Sequence, residues 1–160
     1  KEIILEELIT AKQIIVATNR MKIPFTHIEK YFMGERKQDV EFSAVGKFIV
    51  DLDKLNSEDI LIDDASQTVT IYMTKPIKEV NLLENETKFG DVEKSWYLFN
   101  KDIEYSLEQT ENIKHQVKCD ALTLMIDLEE QAKECARESV QGIIRMATNK
   151  NYTINIRWVS

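Results

Sequence analysis

The chain has 160 residues, of which 43% are hydrophobic and 31% charged, so it is long enough for one full-sized hydrophobic core and short for two. Its formal net charge of -7, with Lys and Arg scattered along the sequence, argues against a nucleic-acid partner, because binding to phosphates depends on clustered basic side chains. We predict one folded domain over residues 1–160. The two cysteines give no disulfide framework and no redox motif, so they do not identify a cellular compartment.

The N-terminal part of the chain mixes helical and strand patterns. The stretch EIILEELIT spaces its apolar residues as a helix does, whereas QIIVA is a β-branched run typical of a strand. We predict a short helix that gives way to a strand near Thr10. The following MKIPFTHIEKYFMGERKQ has Pro24 and Gly34 as turn signals and is predicted to be irregular or an edge segment.

The next segment alternates apolar and polar residues with the period of a strand. We expect a strand with a bulge at Gly46 that re-phases it. The apolar positions of this alternation are Val40, Phe42, Ala44, Phe48, Val50 and Leu52.

The stretch DILIDDASQTVTIYMT predicts a β-hairpin, with strands at 60–62 and 69–73 joined by a polar turn. Pro76 ends the second strand, and residues 77–83 are predicted to form another short strand. The stretch NETKFGDVEKSWYLF is predicted to be a loop whose aromatic residues fold back on the core.

The strongest structural signal is helical. Asn100 is a good N-cap, and the forty residues after it contain no proline or glycine. A continuous helix to Thr148 would be about 70 Å long, so we expect either a bend near Lys118–Thr123 or a projecting helix that pairs with a second copy of the chain. The apolar and small residues of the predicted helical stripe are Ile103, Leu107, Ile113, Val117, Ala121, Leu124, Leu128, Ala132, Cys135, Ile143 and Met146.

The final YTINIRW alternates again and is predicted to be a strand from Tyr152 to Trp158. These elements predict an α+β fold with a mainly antiparallel sheet, long C-terminal helices and a final C-terminal strand. On the helical stripe we expect Cys135 to be buried and Cys119 to be more accessible.

The most acidic stretch, GKFIVDLDKLNSEDILIDD, is the first candidate for a functional site. It matches an EF-hand loop at Asp51 and Asp53, but Asn56 replaces the glycine and Ile62 replaces the bidentate glutamate. On an alternating strand both aspartates lie on the face that is usually solvated. We interpret the stretch as a solvated strand end followed by a turn. The alternative is a hydrolase-like enzyme that uses Asp51, Asp53 and Asp59 as its carboxylates.

Other candidates for chemistry are few. His27 and His115 have no Cys, Asp or Glu at a spacing that we interpret as a metal-ligand motif. The sequence contains no recognised nucleophile motif, no phosphate-binding glycine loop and no paired-cysteine redox motif. We therefore predict no catalytic, cofactor-binding or metal-binding residues and leave the ligand-binding residues unassigned. Aromatic residues that are more typical of core packing than of a pocket are Trp96, Tyr97, Phe99 and Tyr105.

The order of several segments resembles the bacterial domain-of-unknown-function family numbered 4230. These segments are EELITAK, KIPF, AVGKFIVDLDKL, DILIDDASQTVTIYMTKPIKEV, EEQAKECARESVQGIIR and NYTINIRW, and they cover nearly the whole chain. The shared motifs are hydrophobic and structural, and Asp51-Leu52 falls where the family has the end of a strand. The resemblance implies no established activity, and it implies a domain held outside the cytoplasm by one N-terminal transmembrane helix.

The functional hypothesis is a non-catalytic, membrane-tethered and extracytoplasmic domain that binds a protein or an envelope component, or that self-associates through its long helix. The chain starts inside a helical pattern, KEIILEEL, without an initiator methionine. We therefore expect about twenty consecutive apolar residues upstream of Lys1, enough to cross a bilayer. The alternative is a cytoplasmic protein, which free cysteines fit slightly better.

Overall fold

The computed structural model describes residues 1–31, 34–94 and 105–160. The chain divides into two compact units. Unit 1 comprises Lys1–Thr18, Lys47–Glu79 and Ile126–Ser160, and unit 2 comprises Asn19–Gly46 and Val80–Met125. The single domain expected over residues 1–160 stays a prediction.

The described residues form three helices and two sheets, which confirms the predicted α+β class. The helices are α1 (Glu2–Ala11), α2 (Leu107–Met125) and α3 (Glu129–Thr148). The strands are β1 (Gln13–Tyr31), β2 (Gly34–Asp51), β3 (Ile60–Asp63), β4 (Thr68–Thr74), β5 (Ile77–Leu82), β6 (Lys88–Lys94) and β7 (Thr153–Val159). Short 3-10 turns lie at Ser57–Asp59, Glu84–Glu86 and Ile126–Leu128. One sheet has the order β1-β2-β5 with β6 also paired to β2, and the other has the order β3-β4-β7.

Unit 1 is built on the smaller sheet. The predicted hairpin is confirmed, because β3 and β4 pair antiparallel with Ile60 opposite Ile71. The final strand is confirmed as well, and it pairs parallel with β4. Helices α1 and α3 pack on each other and α3 contacts β7. The buried side chains of this core are Ile4, Leu8, Val50, Leu52, Leu55, Ile60, Val69, Ile71, Met73, Ala136, Val140, Ile144, Tyr152 and Ile154.

Unit 2 packs α2 against the face of the larger sheet. Ile23 of β1 and Ala44 of β2 are buried against Val117 and Ala121 of α2. Around this cluster lie partly buried Met21, Phe25, Phe42, Val80, Leu82 and Ile113. The residues that face α2 are odd-numbered in β1 and even-numbered in β2. Burial of alternate residues thus gives each strand one apolar face.

The prediction of a bulge at Gly46 is wrong. Ala44, Gly46 and Phe48 are all buried, so more and less buried residues alternate along this part of β2 without interruption. The register shift of β2 lies instead between Gln38 and Val40, opposite β6. Gly46 has a different reason to be glycine. A Cβ at this position would lie 2.6 Å from Sδ of Met125 and 2.8 Å from Cε of Met21.

The segment predicted to be irregular or an edge segment is part of an edge strand, and the segment predicted to be a loop contains a strand. Residues 21–31 continue β1, and Pro24 is tolerated there because β1 lies next to β2 at the end of the sheet order that the described strands form. The predicted loop after residue 84 contains β6, which pairs antiparallel with β2. The short helix at the N-terminus, the strand that follows it and the strand after Pro76 are confirmed.

The long helix is interrupted, but not where we predicted. The interruption is the 3-10 turn at Ile126–Leu128, whereas residues 118–123 lie inside α2. The predicted N-cap Asn100 and stripe residue Ile103 lie outside the described residues. Helix α2 begins after Ser106, whose hydroxyl accepts a hydrogen bond from the Gln109 N–H at 3.1 Å while the Gln109 side chain accepts one from the Ser106 N–H at 2.9 Å.

The predicted helical stripe is also wrong in part. Leu107, Leu124 and Met146 are exposed, although we assigned them to the apolar face. Cys119 is exposed as predicted, whereas Cys135 is only partly buried. The buried positions of the two helices are Val117, Ala121 and Met125 in α2 and Ala132, Ala136, Val140 and Ile144 in α3. Within the described ranges, no helix has both the length and the apolar composition needed to cross a membrane.

Candidate functional site

The candidate site is an apolar groove of unit 2 with a volume of about 270 Å³. It lies between the helix-facing side of the larger sheet and the first turns of α2. Its apolar lining residues are Val40, Phe42, Leu82, Phe89, Tyr105 and Ile113, and its polar ones are Glu84, Thr87, Thr110 and Lys114. We refer to this feature as the groove.

The alternation of β2 and β6 explains why the groove is apolar on the sheet side. Val40 is paired with Phe89 in the antiparallel register, so both side chains lie on the same face. Ile113 of α2 stands four residues before buried Val117 and therefore on the same side of the helix. Phe89 is 61% exposed although it lines the groove. Apolar surface that would complete the core of unit 2 is thus left open to solvent.

Tyr105 joins the groove to a set of polar side chains. Its hydroxyl donates to Oε1 of Gln38 at 2.7 Å, and Nε2 of Gln38 donates to the Gly90 carbonyl at 2.9 Å. Its ring centroid lies 6.3 Å from that of Phe89 and 4.9 Å from that of His27. Burial, with a smaller effect from the Glu29 carboxylate, raises the pKa of Tyr105. The phenol is therefore a neutral hydrogen-bond donor at physiological pH.

His27, Glu29 and Arg36 form what we call the polar cluster. Nη2 of Arg36 donates to Oε2 of Glu29 at 2.8 Å, and Nε2 of His27 lies 3.5 Å from the other oxygen, Oε1. All three side chains are largely buried, with exposed fractions of 14–17%. The separation of 3.5 Å is long for a hydrogen bond, and Nε2 of His27 makes no hydrogen bond to the residues that the structure describes. The cluster therefore holds a carboxylate beside an imidazole that retains hydrogen-bonding capacity.

An ion pair lies beside the groove on the side of α2. Nζ of Lys114 is 2.7 Å from Oε1 of Glu84, and the two side chains both line the groove. The hydrogen bond from Lys114 lowers the pKa of Glu84, and the same bond raises the pKa of Lys114. The two pKa shifts are opposite in direction and each favours the charged form, so both groups stay charged through the neutral range.

The acidic residues of the hydrolase-like alternative lie in unit 1, where the carboxylates of Asp51 and Asp59 accept hydrogen bonds from nearby backbone N–H groups. Oδ1 of Asp51 accepts a hydrogen bond from the Asp53 N–H at 3.0 Å. Oδ2 of Asp59 accepts one from the Asn56 N–H at 2.9 Å, as half of a capping box. Asp63 similarly accepts from Ser66, whose hydroxyl is the main cause of its lowered pKa. These contacts fit the strand end and turn that we predicted for the stretch.

The sequence analysis assigned no Cys, Asp or Glu at a metal-ligand spacing to either histidine, and the structure places one such side chain beside each of them. His27 lies beside Glu29, and Nε2 of His115 lies 3.8 Å from Sγ of Cys119. The spacings were readable in the sequence, since i and i+2 share a face of a strand and i and i+4 share a face of a helix. We missed the first because we predicted that segment to be irregular or an edge segment and assigned it no alternation of faces. Of the predicted core aromatics, Tyr105 lines the groove, and Trp96, Tyr97 and Phe99 lie outside the described residues.

Comparison with known proteins does not identify a family. No protein-family model matches the chain, and neither a curated protein nor a solved structure matches it. The resemblance to the family numbered 4230 therefore stays a prediction.

Proposed function

We propose that the protein is a non-catalytic binding domain whose groove holds an apolar side chain of a protein partner. The observation that carries this proposal is the open apolar groove beside partly exposed Phe89. Pockets for drug-sized ligands hold about 300–1,000 Å³, so a groove of about 270 Å³ is small for a cofactor or a large metabolite. A single apolar anchor that fills a pocket is instead the usual centre of a protein interface.

The polar residues beside the groove support a polypeptide as the occupant. Apolar contacts bind the anchor, whereas the charged pair of Lys114 and Glu84 offers a donor and an acceptor to the flanking backbone of the partner. Tyr105 is fixed by its bond to Gln38, so its ring presents a rigid aromatic surface. A rigid aromatic surface next to paired charges is typical of interface hot spots.

The test uses side-chain analogues, because the partner is unidentified. Indole and p-cresol stand for the side chains of Trp and Tyr and are titrated into isotope-labelled protein while amide chemical shifts are followed. We expect saturable shifts around Val40, Phe89 and Ile113. Shifts that are absent, or spread evenly over both units, would overturn the proposal.

Two variants and a control sharpen this test. Thr110→Phe places a ring in the groove, and Phe89→Ala removes a lining ring that is already well exposed. Each is expected to weaken binding of the analogues about tenfold or more, which corresponds to about 1.4 kcal/mol. Ile77→Ala removes a comparably exposed apolar side chain from unit 1 and should leave binding unchanged. If all three variants bound the analogues as tightly as the wild-type protein does, the analogues would bind outside the groove and the proposal would be overturned.

Membrane attachment and location outside the cytoplasm are kept as part of this proposal on the family resemblance alone. The sequence upstream of Lys1 tests them, because a spanning helix needs about twenty predominantly apolar residues. A polar upstream segment would contradict the attachment. Self-association through the long helix also stays a prediction.

A further inference from the structure

His115 and Cys119 form a side-chain pair on α2 that the groove does not use. They are one helical turn apart, so their side chains share a face of the helix. Nε2 of His115 lies 3.8 Å from Sγ of Cys119, and both residues are exposed. Imidazole and thiolate are the two side chains that bind zinc and related ions most often.

The separation of the two atoms fits a shared metal ion. Zinc lies about 2.3 Å from a thiolate sulfur and about 2.0–2.1 Å from an imidazole nitrogen, so tetrahedral coordination places the two ligand atoms about 3.6 Å apart. The observed 3.8 Å is close to that value, and rotation of exposed side chains covers the difference. A metal ion therefore needs no movement of the helix backbone.

We propose that His115 and Cys119 form a two-residue site for a thiophilic divalent metal ion such as Zn²⁺. Without metal the pair is a contact between a thiol and an imidazole. On binding, the S–H bond breaks, its proton goes to solvent, and the sulfur and the imidazole nitrogen each donate an electron pair to the ion. No oxidant or reductant is involved. Affinity for the ion accordingly rises with pH, because the thiol proton must leave.

The surroundings of the pair indicate an open site. Among the residues that the structure describes, no group of three or more His, Cys, Asp or Glu side chains is arranged to hold a metal. Oδ1 of neighbouring Asp120 accepts a hydrogen bond from Gln116 at 3.0 Å. Glu111, one turn before His115, has its carboxylate 4.0 Å from Nζ of Lys114. Water fills the remaining coordination positions, so the ion exchanges readily and is not required for folding.

The test is a titration of the reduced protein with Cd²⁺, followed by the ultraviolet charge-transfer band between thiolate and cadmium. We expect a band that saturates at one ion per chain. Cys119→Ser should abolish it, and His115→Ala should raise the half-saturating Cd²⁺ concentration about tenfold or more. The matched control is Cys135→Ser, which removes the other thiol and should change neither the band nor its midpoint.

A second measurement separates the shared site from binding to the thiol alone. Zn²⁺ should slow alkylation of Cys119 in the wild-type protein but not in His115→Ala, while the rate at Cys135 stays the same. Since both residues of the pair are exposed, neither variant is expected to affect folding. Equal cadmium affinity in wild type and His115→Ala would overturn the proposal, as would a band that depends on Cys135.

Discussion

Tyr105 is the residue on which the apolar and polar parts of the candidate site depend. Its ring lies beside Phe89 and His27, and its hydroxyl holds Gln38, which is only 8% exposed. Removing the hydroxyl leaves a buried amide oxygen without its donor, and such an oxygen cannot easily be reached by water. The phenol therefore has a structural effect that a phenylalanine cannot reproduce.

Tyr105→Phe should lower the free energy of unfolding by about 1 kcal/mol at neutral pH, the usual value for one hydrogen bond. Urea unfolding of wild type and variant measures this difference. Tyr72→Phe, which removes a hydroxyl from a partly exposed tyrosine of unit 1, should change the value by less than about 0.5 kcal/mol. A Tyr105→Phe protein as stable as the wild type would mean that Gln38 finds another donor.

The raised pKa of Tyr105 adds a pH dependence of known sign. The folded protein keeps the phenol protonated at pH values where the unfolded chain, with its ordinary value of 10.0, has lost the proton. The contribution is fully present below the unfolded value and is lost as pH rises through the folded one. Wild type should therefore lose stability above about pH 10 more steeply than Tyr105→Phe. Parallel alkaline curves for the two proteins would contradict the shift.

At the scale of elements, the sequence predicted those that have a strong local pattern. The hairpin of β3 and β4 has alternating β-branched residues and a polar turn, and β7 repeats the alternation. The latter part of β1 was predicted only as an irregular or edge segment, and β6 was predicted as a loop, because Pro24 and Gly90 resemble strand breakers. An edge strand tolerates proline, and Gly90 packs so closely on β2 that an added Cβ would lie 3.0 Å from the Asp39 carbonyl oxygen.

The interruption of the long helix could not be located from local pattern. No glycine or proline marks Ile126–Leu128, and the apolar steps continue on both sides of it. Each step of four residues advances about 40° around a helix with 3.6 residues per turn, so a stripe built of such steps turns away from a single flat core. The two helices bury their stripes in different units, and only the tertiary contacts show this. The bond between Tyr105 and Gln38, 67 residues apart, was out of reach for the same reason.

The corrected stripe of α3 predicts opposite results for two nearby apolar residues. Ile144 is buried in the core of unit 1, whereas Met146 is 82% exposed. Ile144→Ala should lower the free energy of unfolding by about 2–5 kcal/mol, because it removes buried methylenes and leaves a cavity. Met146→Ala should change it by less than about 0.5 kcal/mol. Thermal or urea unfolding gives both values, and a larger loss at Met146 would restore the stripe predicted from the sequence.

The same glycine-to-alanine change should also have opposite effects at two positions. At Gly46 the new methyl group meets Sδ of Met125 and Cε of Met21, and moving these side chains out of their packed positions should destabilise Gly46→Ala by about 1 kcal/mol, the low end of the cost of overpacking. At Gly142, inside α3, an added Cβ has no neighbour within 4 Å. Gly142→Ala should therefore stabilise the protein by about 0.5–1 kcal/mol through helix propensity. Changes of the same sign in urea unfolding would contradict the packing at Gly46.

At the scale of the whole molecule, the described residues of the two units form buried clusters of unequal size. In the described part of the chain, the buried cluster of unit 1 contains fourteen residues and that of unit 2 contains four. Stabilisation by burial grows with the apolar area removed from water, and regions with fewer buried contacts open at lower free energy. Part of the apolar surface that could complete the core of unit 2 lines the groove instead.

We therefore expect unit 2 to open before unit 1. In hydrogen exchange followed by mass spectrometry over a low-urea series, amides around Val117–Ala121 of α2 should exchange through openings of lower free energy than amides around Ala136–Val140 of α3. Gly46→Ala should lower the protection of the first segment, and Ile144→Ala that of the second. A ligand that fills the groove should raise protection in α2, since binding to the closed state adds to its stability. Identical opening free energies in the two segments, shifted equally by either variant, would show that the two cores unfold as one cooperative unit.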